Sequence, residues 1–313
     1  MRQELGFEKV KQMKVAIAGA TGFVGSRLVE RLHKQGMSVV VLSRNTTHAE
    51  RVFPNTAFPN VEIVNCDSWQ NAIASCDGVV NLAGEPIAEG RWTPERKQEI
   101  LNSRKQTTQT IVQAISNSSQ KPQVLVNASA IGYYGTSEAA TFDENSPAGQ
   151  DFLAEVCQTW ENEAKKVTNS GVRLVILRLG IVLGNGGAMG KMITPFKLFA
   201  GGPIGSGKQW FSWIHIDDVV GLIVEALTKP EMQGVYNATA PQPVKMTEFC
   251  QVMGKVMNRP SWLPVPSFAL EALLGDGAIV VLEGQQVLPT RTLASGFGYK
   301  YDKLQSALVE IIK

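Results

Sequence analysis

Gly19, Gly22 and Gly25 recur at three-residue steps where an apolar run gives way to helical spacing. Glycines in this pattern can bind phosphate. Gly19 lets the chain turn sharply off a strand, and Gly22 leaves no side chain where backbone N–H groups must approach a pyrophosphate. Gly25 lets a helix pack close, with its positive N-terminal end facing the phosphates. The spacing is G-x-x-G-x-x-G rather than the usual G-x-G-x-x-G, yet the context is that of a dinucleotide site: strand before, helix after, second strand about twenty residues on. At the end of that second strand stands Ser43-Arg44-Asn45, where a chain built for NAD usually carries Asp or Glu for the ribose 2′-hydroxyl. Arg44 can form charge-assisted bonds to a 2′-phosphate and lie over the adenine, and this stretch holds no acid to repel that phosphate. The cofactor these residues call for is NADP(H).

The elements that must position these groups follow from patterning. Val15-Ala16-Ile17-Ala18 is apolar without alternation, as in a strand buried on both faces of a parallel sheet. Val24, Leu28 and Leu32 at four-residue steps give the next helix one apolar face. Further strands read at 38–42, 61–64, 77–82, 124–128 and 174–179. Thr93-Pro94-Glu95 marks a helix start, with Thr93 as N-cap and Pro94 at the first helical position. That helix continues past Arg104 to Ser116, and another spans residues 151–167. Repeated strand–helix order predicts an α/β fold, a Rossmann-type doubly wound parallel sheet with right-handed crossovers and a small C-terminal substrate lobe.

Asp67, just after the third strand, is placed to accept from the adenine amino group; equally, Asp67 or Ser68 could N-cap the short helix there. Leu82, Ala83, Gly84 and Glu85 open from the fourth strand, where small residues let backbone pass beside a cofactor at the topological switch point. The cofactor set is therefore Gly19, Thr21, Gly22, Phe23, Val24, Gly25, Ser43, Arg44, Asp67, Leu82, Ala83, Gly84 and Glu85. Arg104 joins it, although Arg104 and Arg178 could pair with internal carboxylates as readily as with a ligand.

Beyond Gly180 the composition changes. Residues 184–207 are rich in glycine and apolar residues and read as a mobile cleft lining; residues 210–216 look extended, and Asp217 caps a helix through Leu227. From Pro241 onward the chain has helices of its own near 247–257 and 302–312. The expected division is an N-terminal extension at 1–12, a cofactor domain at 13–180 and 211–240, and a substrate-side lobe at 181–210 and 241–313.

Bulk properties exclude several classes. The chain has 313 residues and a net charge of +2 with no run of like charge, which argues against nucleic-acid or anionic-membrane partners. Its apolar stretches are too short to span a bilayer, and Met1-Arg2-Gln3-Glu4 is no secretory signal. Cys66, Cys76, Cys157 and Cys250 show no C-x-x-C spacing, and with His33, His48 and His215 they offer no metal site. Reduced thiols and a cytoplasmic location are expected.

The glycine spacing, Asn81-Leu82-Ala83-Gly84 and Trp213-Ile214-His215-Ile216-Asp217-Asp218 resemble the extended short-chain dehydrogenase/reductase superfamily, in its nucleotide-sugar epimerase group. More narrowly, Gly201-Gly202-Pro203-Ile204-Gly205-Ser206-Gly207, Leu282-Glu283-Gly284-Gln285 and Arg291-Thr292-Leu293-Ala294 resemble an atypical branch. Its members are called epimerase family proteins, or cell-division-inhibitor-like in cyanobacteria and plastids. The match runs from Met13 to Lys313. The resemblance implies NADP(H) binding on a Rossmann fold with a small C-terminal lobe, and implies no substrate.

Hydride-transferring members of the superfamily use Ser or Thr, a Tyr, and a Lys four residues later. The Tyr exchanges a proton with a carbonyl, and a nearby ammonium brings its phenol, at ~10 in isolation, towards working pH. Set on that pattern, the hydroxyl position falls on Ala130, with Ser129 beside it. The Tyr and Lys positions fall on Leu153 and Cys157. All three roles are unfilled. Tyr299 and Lys303 satisfy Y-x-x-x-K but lie in the terminal lobe. The run from Gly202 to Lys208 mimics a triphosphate loop but meets Gln209 where Ser or Thr is required. Ser129 and Tyr133, at the mouth of the cleft, are the candidate catalytic replacements, with Tyr134, Glu85 and Cys157 nearby. Packing roles are open to each. His215 reads as support for a strand–helix junction.

Two functions fit. One is an NADP(H)-dependent reductase or epimerase with non-standard proton-transfer groups, acting on a small carbonyl or sugar-like molecule. The other is a non-catalytic NADP(H)-dependent redox sensor or assembly factor with a protein partner. Monomer and homodimer are both compatible with the helices at 94–116 and 151–167. A charge-assisted bond of about 1.5–3 kcal/mol from Arg44 predicts NADP(H) binding about tenfold to a hundredfold tighter than NAD(H). Calorimetric titration with NADPH and NADH measures that ratio, and equal affinities contradict it.

Overall fold

The computed structural model describes residues 13–313; the expected extension at 1–12 lies outside the described residues. The first half alternates strand and helix. It runs β1 (Lys14–Ala18), α1 (Phe23–Lys34), β2 (Ser38–Leu42), α2 (Thr46–Val52), β3 (Val61–Val64), α3 (Trp69–Ala74) and β4 (Gly78–Asn81). Then come α4 (Pro94–Asn117), β5 (Val124–Ala130), β6 (Thr141–Phe142), α5 (Phe152–Lys165) and β7 (Arg173–Leu179). The second half has shorter pieces: β8 (Ile181–Leu183), α6 (Gly187–Lys197), β9 (Trp210–Phe211), β10 (Trp213–His215), α7 (Ile216–Thr228), β11 (Gly234–Ala238) and β12 (Val244–Lys245). It closes with α8 (Met246–Met257), α9 (Ser267–Leu274), α10 (Ile279–Leu282), β13 (Gln286–Val287), α11 (Thr290–Ala294) and α12 (Leu304–Ile312).

Seven strands form one sheet in the order β11-β7-β5-β4-β1-β2-β3, and every pairing in it is parallel. Alternation along each strand feeds two layers. Val15 and Ile17 of β1 pack with Leu28 and Leu32 of α1 and with Val219 and Ile223 of α7. Ala16 and Ala18 face the other way, with Ile73 of α3 and Ile111 and Ile115 of α4. The apolar run without alternation is thus explained: both faces are covered. A separate core of Leu183, Phe196, Trp213, Phe249, Met253 and Leu308 holds the second-half helices together.

Thr93 caps α4 as expected, accepting from the Arg96 N–H at 3.2 Å, and Pro94 is its first residue. Two other expectations are corrected. Residues 187–197 form α6 rather than a mobile lining, because Met189 and Phe196 bury in the second core and outweigh Gly190 and Pro195. The segment expected to be extended does hold β9 and β10; Trp213–His215 pairs with β8 outside the main sheet, one edge of which is β11, a strand that composition did not signal. The N-cap of α7 is His215, whose Nδ1 accepts from the Asp217 N–H at 3.1 Å. Asp217 instead lies in the first turn, paired with Arg27 at 2.8 Å and Lys300 at 2.9 Å.

Burial drives the His215 imidazole from an ordinary 6.5 down to about 4, only partly opposed by Asp217. The folded chain therefore binds fewer protons than the unfolded chain between these values, so stability falls as pH drops through this window. His215 is expected to cost up to about 3 kcal/mol there. The His215→Asn variant keeps a capping acceptor without the titration. Denaturant midpoints between about pH 7 and 4 should decline less in the variant; parallel declines contradict this.

Candidate functional site

Crossovers from β1 run to β2 and β3 on one side and return to β4 on the other, so a crevice opens beyond the carboxyl ends of β1 and β4. Gly19, at φ +78°, approaches the backbone leaving β4 so closely that a Cβ there would lie 2.7 Å from the Leu82 carbonyl carbon. A Cβ at Gly25 would lie 2.1 Å from the Gly19 oxygen. Gly22 is the N-cap of α1 and has no side chain to close the turn. Thr21 sits in the turn, and Phe23 and Val24 begin the helix, whose first N–H groups have no intrahelical acceptor. The structure thus brings Gly19, Thr21, Gly22, Phe23, Val24 and Gly25 together in one strand-to-helix turn. The Phe23 ring does something further: it packs on the turn at Gly184, Gly186 and Gly187 and so ties α1 to the second half. On the other wall, Leu82 N–H donates to Ala18 O at 2.9 Å. Behind it, buried Asn81 donates to Thr108 Oγ1 at 2.9 Å and Asn127 Oδ1 at 2.7 Å.

Ser43 closes a turn, its hydroxyl donating to Asn45 O at 2.9 Å. That turn presents Arg44 with its side chain 74% exposed and its guanidinium 3.6 Å from Glu85. The view that no acid stands near Arg44 needs correction, since β4 delivers one from 41 residues away. An exposed pair of this kind is worth about 0–1 kcal/mol, less than a charge-assisted bond to phosphate. Glu85 also lies 3.6 Å from Arg96, a cation to which it can turn when Arg44 leaves. Asp67 is exposed on the turn after β3, and no side chain caps α3. Capping is thus not what Asp67 or Ser68 does.

Ala130, Leu153 and Cys157, the positions on which the triad pattern falls, do converge. Cys157 Sγ lies 3.6 Å from Ala130 O, and a Cβ at Gly132 would lie 3.2 Å from Leu153 Cβ and 3.9 Å from Cys157 Sγ. Ala130, Leu153 and Cys157 share a wall of a cavity of about 230 Å³. Burial pushes the Cys157 thiol up to about 11, so it stays neutral. Arg104 lies in the same wall. It donates to Ile100 O at 3.0 Å, stands over the Trp160 ring at 5.2 Å, and presses on Gly84, where a Cβ would be 2.9 Å from its guanidinium carbon. Burial lowers its pKa.

The expected proton-handling pair, Ser129 and Tyr133, is not among the residues lining this cavity. Buried Ser129 donates to Glu161 Oε1 at 2.8 Å. Glu161 accepts two bonds from Arg178, at 2.8 and 2.9 Å. Arg178 continues to the Tyr134 hydroxyl at 3.0 Å, which donates to Asn237 Oδ1 at 2.7 Å. The Arg178 guanidinium covers the Tyr133 ring at 3.3 Å. These groups form a buried polar network joining β5, α5, β7 and β11. A hydroxyl committed to a carboxylate in that network is not aimed at a ligand. Sequence reading missed the far wall of the cavity, which comes from Ile279, Val280, Glu283, Gly284 and Gln285. The motif around Glu283 was the available signal. Trp213 lies fully buried, whereas Trp210 lines the cavity.

A parallel seven-stranded sheet with a glycine turn at its switch point defines an NAD(P)-type domain, and comparison with known proteins agrees. Residues 15–239 match the NAD dependent epimerase/dehydratase family, to which the chain belongs; residues 265–311 match a domain of unknown function (DUF1731). Within the family it is 53% identical over 309 residues to the chloroplastic epimerase family protein SDR39U1 homolog of Arabidopsis thaliana, covering 98% of this chain and 88% of that one. The epimerase family protein YfhF of Bacillus subtilis is 39% identical, with 96% of this chain and 98% of that one covered. A crystal structure of human epimerase family protein SDR39U1 with NADPH superposes with a TM-score of 0.87 at 39% identity, covering 96% of this chain and 99% of that one. No helix among the described residues is long and apolar enough to cross a membrane.

The glycine contacts yield a direct test. A methyl at Gly25 meets only backbone, so Gly25→Ala must push α1 off β1, at a cost of about 1–3 kcal/mol or more. Gly190→Ala, in α6 with nothing within 4 Å of the added carbon, should be neutral or stabilising. Thermal unfolding of the two variants checks this, and equal midpoints contradict it.

Proposed function

We propose that this chain binds NADP(H) in the β1–β4 crevice and acts on a small molecule in the adjoining cavity, as a reductase or epimerase without the usual Ser-Tyr-Lys triad. The observation that carries the reading is the backbone approach at Gly19 and Gly25, which leaves no room for any Cβ beside the first turn of α1. Amides of Thr21 to Gly25 would hold the pyrophosphate. Leu82 to Gly84 would pass along the cofactor, Asp67 would accept from the adenine amino group, and Arg44 would leave Glu85 for the 2′-phosphate. The human relative crystallised with NADPH supports the choice of cofactor. When bound, the cofactor supplies or accepts hydride. Residues 13–180 and 211–240 serve as the cofactor unit, and 181–210 with 241–313 as the substrate side.

The cavity wall bears on mechanism. Ala130, Leu153 and Cys157 present a methyl, an isobutyl group and a neutral thiol where a hydroxyl, phenol and ammonium usually stand. A positioned acid–base is typically worth about 10²–10⁴ in rate, so turnover is expected to be slow, with the proton taken from water. The same substitution favours a second reading, a non-catalytic NADP(H)-dependent sensor or assembly factor.

Oxidation of NADPH against a panel of small aldehydes, ketones and sugars separates the two. Slow, substrate-dependent oxidation supports the enzyme, and none across the panel supports the sensor. Titration of Arg44→Ala tests the cofactor assignment: its preference for NADPH over NADH should collapse to within about twofold. A retained preference contradicts Arg44 as the 2′-phosphate partner.

A further inference from the structure

The second half leaves several large apolar side chains exposed. Leu198, Phe199, Trp262, Leu263 and Phe268 are between 44% and 75% exposed, and none of them lines the cavity beside Cys157. Hydrogen bonds hold their two segments side by side. Leu263 N–H donates to Gly201 O at 3.2 Å, Val265 N–H to Pro203 O at 2.8 Å, and Gly205 N–H to Val265 O at 2.9 Å. Gly202 permits this approach, since a Cβ there would lie 2.0 Å from the Leu263 oxygen. The glycine run at 201–207 thus seats one segment on the other. Single exposed apolar residues are ordinary, whereas large ones gathered on one ladder mark an interaction site.

Phe199 adds a second sign. Its backbone sits at φ +62°, a costly conformation for a bulky residue and one that persists only where the surroundings impose it. Its side chain stays largely in solvent, with the Arg259 guanidinium 4.5 Å from the ring centre. Burial within the chain therefore does not offset the strain.

Charge identifies what fits. Residues 184–210 and 249–270 contain Lys191, Lys197, Lys208, Lys255 and Arg259 and no Asp or Glu. Among the described residues none of these five cations forms an ion pair. The two segments that build the strip are thus purely cationic, in a chain whose net charge is only +2. A second copy related by a two-fold axis would set cations against cations. A bilayer is a poor match too. Interfacial helices carry Lys and Arg on their polar face, and the only charge on α9 is Glu271.

We propose that this strip docks an acidic amphipathic helix of a partner protein. The partner's apolar residues would lie on Phe199, Trp262, Leu263 and Phe268, and its carboxylates would reach Lys197 and Arg259. An amphipathic helix laying its apolar face on an apolar surface is a recurrent mode of recognition. The strip is separate from the cofactor crevice, so the proposal does not depend on the cofactor reading.

The test is fluorescence anisotropy on the full chain with a labelled synthetic helix of about 18 residues, leucines along one face and glutamates on its flanks. One twin carries lysine for glutamate, another serine for leucine. The parent should bind the acidic peptide about tenfold or more tighter than either twin. Trp262→Ala and Phe199→Gly should each weaken it about fivefold or more, while Leu293→Ala, exposed on α11, should leave it unchanged. Lys197→Glu combined with Arg259→Glu should reverse the preference between acidic and basic peptides. Unfolding midpoints check that each variant is folded. NADPH titration reports on the cofactor reading separately, and its failure leaves this proposal standing. Equal binding of the three peptides, no binding, or binding indifferent to Trp262→Ala and Phe199→Gly overturns the proposal. Without peptide binding, dimerisation lost in Trp262→Ala would give the strip to a second copy. Sedimentation with phosphatidylglycerol vesicles lost in that variant would give it to a bilayer. Either result overturns the proposal.

Discussion

The backbone of β1, the first turn of α1 and the exit of β4 come closer together than any side chain allows. The hypothetical Cβ distances of 2.1 Å at Gly25 and 2.7 Å at Gly19 express that constraint. Because β1 and β4 are neighbours in a parallel sheet, their exits share one edge, and this approach places helix amides and strand-exit backbone on the two walls of a narrow crevice. The same packing fixes α1 against α7 through Leu28, Leu32, Val219 and Ile223. Arg27 then extends the contact to Asp217, which also holds Lys300 near the chain's end. The crevice is thus held from the rear by both halves of the molecule.

A second constraint shapes the neighbouring cavity. Glu161 and Arg178 are buried; Ser129 donates to Glu161, and Arg178 donates to the Tyr134 hydroxyl, which in turn donates to Asn237. Removing one partner of such a pair typically costs about 3–5 kcal/mol. The network therefore locks β5, α5, β7 and β11 into one register, and that register brings Ala130, Leu153 and Cys157 side by side. The hydroxyl and phenols nearest the usual reaction centre serve as structural links. The cavity wall combines hydrocarbon, the neutral Cys157 thiol, the Arg104 guanidinium and the Asp151 and Glu283 carboxylates.

Much of this was legible in the sequence, where the determining forces are local. Strands β1 to β5 and β7 show as short apolar runs because both faces of a parallel sheet are covered. The glycine turn reads from its spacing, and Thr93-Pro94 announces α4 because capping chemistry is local. The positions on which the triad pattern falls, Ala130, Leu153 and Cys157, do meet in space. Contacts between distant segments left no such trace. Helix α6 carries Gly187, Gly190, Thr194 and Pro195, which weaken the helical signal, and burial of Met189 and Phe196 in the second-half core stabilises it. Strand β11 exists because β7 offers an edge. Glu85 reaches Arg44, and residues 279–285 close the cavity, only once the chain has folded. Ser129 and Tyr133 were placed at the correct strand exit, but which way they faced depended on Glu161 and Arg178.

The central claim is that the chain grips NADP(H) by backbone amides and Arg44 beside a reaction centre without the customary acid and base. A crystal structure of the NADPH complex measures this directly. The account predicts pyrophosphate at the Gly19–Gly25 turn, Arg44 turned from Glu85 to the 2′-phosphate, and the nicotinamide bordered by Ala130, Leu153 and Cys157. It predicts no tyrosine hydroxyl or lysine ammonium within about 3.2 Å of the ring. Density showing a phenol and an ammonium at the nicotinamide, or an empty crevice at saturating NADPH, would contradict it.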